Sequence, residues 1–101
     1  MPRVTRKDLE AIAARINRMT GNPAEPYRQE VGRLAANVGN FHISGAYGGW
    51  ALHQMVTDGG GVRDVLHSGH VPARELQGAM FAYIAGLIDA ERAAGTADAT
   101  A

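Results

Sequence analysis

The sequence predicts a small α+β domain of two layers, in which two helices pack on one face of a three-stranded antiparallel sheet. Apolar residues recur at helical spacing near both ends of the chain, they alternate in the middle, and glycine-rich turns separate the alternating runs. The predicted order is helix, three strands, helix. A chain of 101 residues supports one small domain. We assign residues 1–93 to it and residues 94–101 to a flexible C-terminal tail.

The first helix is predicted over residues 5–20. Thr5 and Asp8 have the spacing of a capping box, although Glu or Gln is more usual at the second position. Gly21 suits the left-handed position that ends a helix, and Pro23 prevents its resumption. The predicted apolar stripe consists of Leu9, Ile12, Ala13, Ile16 and Met19.

The first strand is predicted to run from Leu34 to Ile43 with an interruption. Two alternating apolar sets lie in this stretch, and they are out of phase at Gly39-Asn40. A phase change at a glycine predicts a β-bulge. Residues 22–33 contain two prolines and mixed charge, so we interpret them as a connector.

The second strand is predicted to return from Trp50 after a hairpin loop of residues 44–49. In this register Ile43 lies opposite Trp50 and Phe41 opposite Leu52. The opposite face of the sheet then carries Asn40, His42, His53 and Met55.

A second turn at residues 58–61 leads to a short third strand over residues 62–67. The second helix is predicted over residues 72–93, with Pro72 in its first turn. Its main apolar face consists of Leu76, Met80, Tyr83, Ile84 and Leu87.

The second helix also predicts self-association. Gly78 and Ala82 belong to a ridge of small residues, and Phe81 and Ile88 widen the apolar surface beyond what one small sheet covers. A symmetric helix–helix contact in a homo-oligomer would bury this surface. The alternative is that the ridge packs on the first helix of the same chain.

The segment SGAYGG, residues 44–49, is the strongest candidate for a ligand site. Gly48 and Gly49 allow a backbone to approach a ligand closely, and the ring of Tyr47 can stack on a nucleobase. The alternative is a turn that needs glycine only for its dihedral angles. Arg63 follows a triple glycine and could bind a phosphate or carboxylate. The full candidate set for a nucleotide-like ligand is Tyr47, Gly48, Gly49, Trp50, Arg63, His42 and His53.

Composition excludes several classes of function. The chain has no cysteine, which removes disulfides and thiolate chemistry. Ten basic and ten acidic residues cancel, so nucleic-acid binding is not expected. No apolar run approaches the ~20 residues that span a bilayer. We predict no catalytic residues, metal or cofactor, and a cytoplasmic location.

Four short elements carry a resemblance to a known family. They are Asn37-x-Gly39-Asn40-Phe41-His42, Ala46-Tyr47-Gly48-Gly49, Gly60-Gly61-Val62 and Ala73-Arg74-Glu75-Leu76. Together they resemble a family of small proteins encoded by bacteriophages and prophages, over roughly residues 7–88. The resemblance implies an accessory protein acting in the host cytoplasm, and it implies no catalytic or binding residues.

The resulting hypothesis is a non-enzymatic, homo-oligomeric phage protein that binds a nucleotide-like small molecule. By analogy of size and context, it could sequester a signal of host defence. The alternative is a protein-binding inhibitor or adaptor with an exposed apolar surface. A nucleic-acid-binding domain that uses basic residues of the first helix is the third reading.

Overall fold

The computed structural model describes residues 3–100, and for residues 96–100 the backbone alone. The elements are α1 Arg6–Thr20, β1 Tyr27–Glu30, β2 Arg33–Ala36, β3 Phe41–Ala46, β4 Gly49–Met55, β5 Val62–Asp64 and α2 Ala73–Thr100. Both helices pack on one face of a three-stranded antiparallel sheet in the order β3-β4-β5, so the α+β class is confirmed. A second, two-stranded sheet, β1-β2, was not predicted.

Helix α1 begins and ends where the sequence predicts. The Thr5 hydroxyl accepts a hydrogen bond from the Asp8 N–H at 3.2 Å, and the Asp8 carboxylate accepts one from the Thr5 N–H at 2.8 Å. These bonds to Thr5 lower the pKa of Asp8. Gly21 ends the helix in the left-handed conformation, with φ 69°. The predicted stripe is buried except for Met19, which is 37% exposed.

The core lies between the helices and one face of the β3-β4-β5 sheet. Helix α1, the sheet and helix α2 each contribute three or more buried side chains to one continuous cluster. The largest fully buried members are Leu9, Ile16, Leu52, Leu76 and Met80. Burial of this apolar surface is the main force that holds the two layers together.

Asn17 is the buried polar residue that ties helix α1 to strand β3. Its side-chain amide donates to the Phe41 carbonyl at 2.9 Å and accepts from the Phe41 N–H at 2.7 Å. Asn17 is 3% exposed, and these two bonds satisfy both of its buried side-chain polar atoms.

The predicted bulged strand is wrong, because residues 33–46 form two strands that belong to different sheets. A turn separates β2 from β3, and in it the Asn40 N–H donates to the Asn37 carbonyl at 3.1 Å. The Asn40 side chain is fully buried and donates to the Pro23 carbonyl. Leu34 and Val38, which belong to the first of the two alternating apolar sets, are 64% and 52% exposed.

Strand β1 forms inside the segment that was interpreted as a connector. It pairs with β2 as an antiparallel hairpin, from Tyr27 opposite Ala36 to Glu30 opposite Arg33. Charged side chains support the hairpin: Arg28 and Arg33 both contact Glu30, and both also reach Asp58. Because these pairs are exposed, each adds little to stability.

Strands β3 and β4 pair two residues away from the predicted register. Ile43 lies opposite Leu52, and Phe41 lies opposite Gln54. A shift of two residues leaves every side chain on its predicted face, because side chains alternate with a period of two. Phe41, Ile43 and Leu52 therefore face the helices, whereas His42, Ser44 and His53 lie on the other face.

Helix α2 extends beyond the rest of the domain. Its 28 residues correspond to about 42 Å, and residues 89–95 are all exposed. The helix continues past residue 93, where the domain was predicted to end; the flexibility of residues 94–101 stays a prediction. Neither helix in the described part of the chain has an apolar stretch of the length that crosses a membrane.

Candidate functional site

The β3–β4 hairpin turns through only two residues, Tyr47 and Gly48, rather than through the six predicted. Both have positive φ, 54° and 73°, which is the requirement of a type I′ turn. Gly48 adopts this conformation without strain, but Tyr47 does not, because a side chain disfavours the left-handed region. The ring of Tyr47 is nevertheless almost fully exposed, at 96%. Geometry alone does not require a tyrosine there.

Gly49 serves a different purpose from the turn. A Cβ atom at this position would lie 2.9 Å from the backbone of His70 and Val71. The absence of a side chain lets that segment pair with Trp50, whose N–H and carbonyl both bond to Val71, at 2.8 and 2.9 Å. This pairing brings His70 to the hairpin, although His70 follows β5 in the chain.

Four rings follow one another across the face of the sheet that points away from the helices. The ring centroids of His42 and His53 lie 6.1 Å apart, those of His53 and His70 5.7 Å, and those of His70 and Tyr47 5.7 Å. Each contact is edge-to-face, a favourable arrangement for aromatic rings. We call His42, His53, His70 and Tyr47 the histidine row.

Polar side chains contact two members of the histidine row, His42 and His70. A hydrogen bond of 3.1 Å joins Ser44 Oγ and His70 Nε2, and another of 3.1 Å joins His42 Nδ1 and Asn40 Oδ1. At the His42 end, a cavity of about 450 Å³ opens between α1, residues 24–27 and β3.

Asp64 lies opposite His53 in the pairing of β4 with β5. Its Oδ2 atom accepts a hydrogen bond from the Gly69 N–H at 2.7 Å. Its Oδ1 atom is buried and has no hydrogen-bond partner among the described residues. An unpaired buried carboxylate oxygen is costly, and it favours a proton on the neighbouring imidazole.

The environment of His42 and of His53 lowers their pKa values. Burial lowers the pKa of His42, and the neighbouring His53 lowers it further. Burial also lowers the pKa of His53; Asp64 opposes this shift, and His70 adds to it. A negatively charged ligand placed against the rings would have the opposite effect, since an anion stabilises the protonated form.

The structure brings together only part of the predicted site. Tyr47, His42 and His53 share the histidine row, and Gly48 supports its end. Trp50 belongs to the opposite, helix-facing side, where it packs against the core cluster. Arg63 lies opposite Gln54, at the far end of β4 from the hairpin, and its Nε–H donates to Gln54 Oε1 at 2.8 Å.

The predicted set of site residues did not include Asp64 and His70, nor Ser44 as an individual contact. Asp64 and His70 come from β5 and the segment after it, so only the tertiary fold places them beside β4. The triple glycine predicted the turn between β4 and β5, but the residue chosen as a ligand contact was Arg63 rather than its neighbour Asp64. No local pattern indicates that residues 70 and 71 return to the hairpin.

The histidine row offers aromatic faces and ring nitrogens to the solvent side of the sheet. Among the described residues, no group of three His, Asp or Glu side chains is arranged to hold a metal ion. The rings offer stacking surfaces, and their nitrogens offer hydrogen bonds in either direction.

No protein-family model, curated protein or solved structure matches this chain.

Proposed function

We propose that this chain is a non-enzymatic binding module for a small nucleotide-like molecule, which is bound along the histidine row. The unbroken line of four rings, 5.7–6.1 Å apart, is the observation that carries the proposal. A planar base can stack against the exposed ring of Tyr47. An anionic group of the same molecule can then take hydrogen bonds from the histidines.

The conformation of Tyr47 supports this proposal. A left-handed, non-glycine residue costs about 1–3 kcal/mol, and a type I′ turn accepts asparagine more readily. An exposed tyrosine in this place contributes little packing that would offset the cost. Contact with a ligand is the role that explains the residue.

Proton uptake gives the proposal an electrostatic signature. Burial lowers the pKa values of His42 and His53; His53 further lowers that of His42, and His70 further lowers that of His53. An anion bound beside them would raise their pKa values, so binding would take up protons near neutral pH. Affinity for an anionic ligand should therefore rise as the pH falls toward 6.

Imidazole NMR signals test the site directly. We would titrate the chain with AMP, a cyclic dinucleotide and ADP-ribose, and follow the ring signals of all four histidines. The signals of His42, His53 and His70 should move, whereas His67, which lies outside the row, provides an internal control. No movement with any probe, or equal movement of His67, contradicts the proposal.

Tyr47→Asn separates a binding role from a turn role. Asparagine suits the type I′ turn, so the variant should be at least as stable as the parent chain. If the ring contacts the ligand, the variant should lose about 1–3 kcal/mol of binding free energy. Unchanged affinity in a stable variant would show that Tyr47 is not part of the site.

Self-association through helix α2 is part of the same proposal. Gly78 and Ala82 are exposed, and Phe81 is 47% exposed, so the predicted ridge does not pack on α1. Ile88 contributes less than expected, because it already packs against the core. Light scattering should report an oligomer that Phe81→Ser dissociates, with Phe81→Leu as the apolar control. A monomeric parent chain would remove this part of the proposal.

The wider context is proposed on the resemblance alone. In a phage-infected cell, a module of this kind would sequester a nucleotide-like signal of host defence. A protein-binding inhibitor or adaptor is the second candidate, and the half-exposed Phe81 and Tyr27 favour it. Binding of a purified host or phage protein that Tyr27→Ser abolishes, with no response to the nucleotide probes, would favour this second function.

A further inference from the structure

A second cavity lies on the helix-facing side, where the start of α1 meets Trp50 and the start of α2. We call it the tryptophan cavity; its volume is about 580 Å³, which is large enough for a small ligand. Three of the ten basic residues of the chain line it, and none of the described residues that line it is acidic. The lining consists of Arg3, Val4, Thr5, Arg6, Trp50, Ala73 and Arg74.

Arg6, which lines this cavity, has a longer contact with its acidic partner than two arginines elsewhere on the surface have with theirs. Arg28 and Arg33 share Glu30 and Asp58 in one balanced network. In the cavity, Arg6 contacts Glu10 at 3.7 Å in an exposed pair one helical turn away. Such a pair contributes little, so a multiply charged anion can compete with Glu10 for the guanidinium.

Trp50 gives the cavity an apolar side and orients one of its cations. The guanidinium carbon of Arg6 lies 5.5 Å from the centroid of the Trp50 ring, within the range of a cation–π contact. A guanidinium held over a ring loses less freedom when it binds an anion. The start of α1 contributes little, because the Asp8 carboxylate already occupies its cap.

We propose that this cavity binds the phosphate group of a small phosphorylated molecule. Arginine suits this role because its N–H groups match the oxygens of a phosphate. The site is distinct from the histidine row, since Trp50 packs on the helix-facing side of the sheet and the row lies on the other side. It does not depend on the proposed function and can be tested without it.

Trp50 is the one tryptophan of the chain, so its fluorescence reports on this cavity alone. We would titrate the full chain with inorganic pyrophosphate and with ADP, and use sodium chloride at matched ionic strength as the blank. Pyrophosphate should change the emission saturably, and chloride should not. Absence of a saturable change, or a response to ADP without one to pyrophosphate, overturns the proposal.

Arg6→Gln should weaken pyrophosphate binding by about tenfold or more, because it removes a charge-assisted contact. Arg15→Gln is the matched control: it removes the same charge from an exposed position on the same helix, outside the cavity. Equal weakening by both variants would show nonspecific attraction and overturn the site. Thermal-shift midpoints at the same pyrophosphate concentrations provide a second readout, since Arg6→Gln also alters the emission of the free protein.

A variant of the histidine row separates the two proposals. His53→Gln should leave pyrophosphate binding at the tryptophan cavity unchanged, because its side chain is on the other face of the sheet. Loss of pyrophosphate binding in this variant, with its fold intact by circular dichroism, would overturn the assignment of a distinct site.

Discussion

The two faces of the β3-β4-β5 sheet are built from alternating residues of the same strands, yet they have different surroundings. Phe41, Ile43 and Leu52 meet two helices and are at least 94% buried. His42 and His53, their neighbours in the chain, stay half-buried and polar. The first face needs only apolar side chains of the right volume. The second keeps ionisable rings close together, which folding alone does not demand.

Truncation of a residue on the helix-facing side is the strongest way to test this contrast. Leu52 is fully buried, so Leu52→Ala should lower the free energy of unfolding by about 2–5 kcal/mol. Urea denaturation would measure the loss. His53→Ala, the next residue but on the other face, should cost clearly less. Equal losses would show that both faces serve mainly to hold the fold together.

Gly49→Ala should have the next largest effect, because the new Cβ meets backbone atoms rather than a flexible side chain. We expect a loss of about 1–3 kcal/mol from the forced shift, together with displacement of His70 from the row. Gly78→Ala is the control: nothing lies within 4 Å of its new Cβ, and alanine favours a helix. An unchanged His70 imidazole signal in Gly49→Ala would contradict the role given to this glycine.

The pH dependence of stability should show the smallest effect. His42 and His53 have folded-state pKa values below the ordinary 6.5, so the unfolded chain binds protons first as the pH falls. Stability should therefore be full above pH 6.5 and decline below it, toward the lowered folded-state pKa values. Denaturation at a series of pH values would measure this slope.

The double variant His42→Gln/His53→Gln provides the control for that slope. The stability of the double variant should depend less on pH than that of the parent chain between pH 6.5 and 5, where the ordinary titration of carboxylates contributes little. Asp64 and His70, which also act on His53, remain in both proteins. An unaltered slope would place the titrating group elsewhere.

The elements with strong local signals were predictable from sequence. Thr5 and Gly21 fix the limits of α1 through capping chemistry that acts within a few residues. The assignment of strand faces also holds, because it depends only on alternation. Alternation does not fix the hairpin register, because registers that differ by two residues place the same side chains on the same face. The register depends on the turn, and a tyrosine in the left-handed turn position is unusual, so a longer loop was the simpler interpretation.

Long-range contacts account for what sequence reasoning missed. Strand β1 has no alternating apolar pattern, since Arg28 and its partners are charged and exposed. His70 reaches the histidine row only because residues 70–71 pair with β4 beside Gly49. The tryptophan cavity brings together residues far apart in the chain, from Arg3 to Arg74. None of these long-range contacts is indicated by a local sequence pattern.

The Asn17–Phe41 contact also bears on how copies of this chain can meet. Strand β3 lies at an edge of its sheet, and such an edge can template the addition of strands from other molecules. The amide of Asn17 already bonds to the N–H and carbonyl of Phe41, so an incoming strand cannot form backbone hydrogen bonds to this residue. Strand addition at this position of the β3 edge is thereby blocked by a side chain of the same chain.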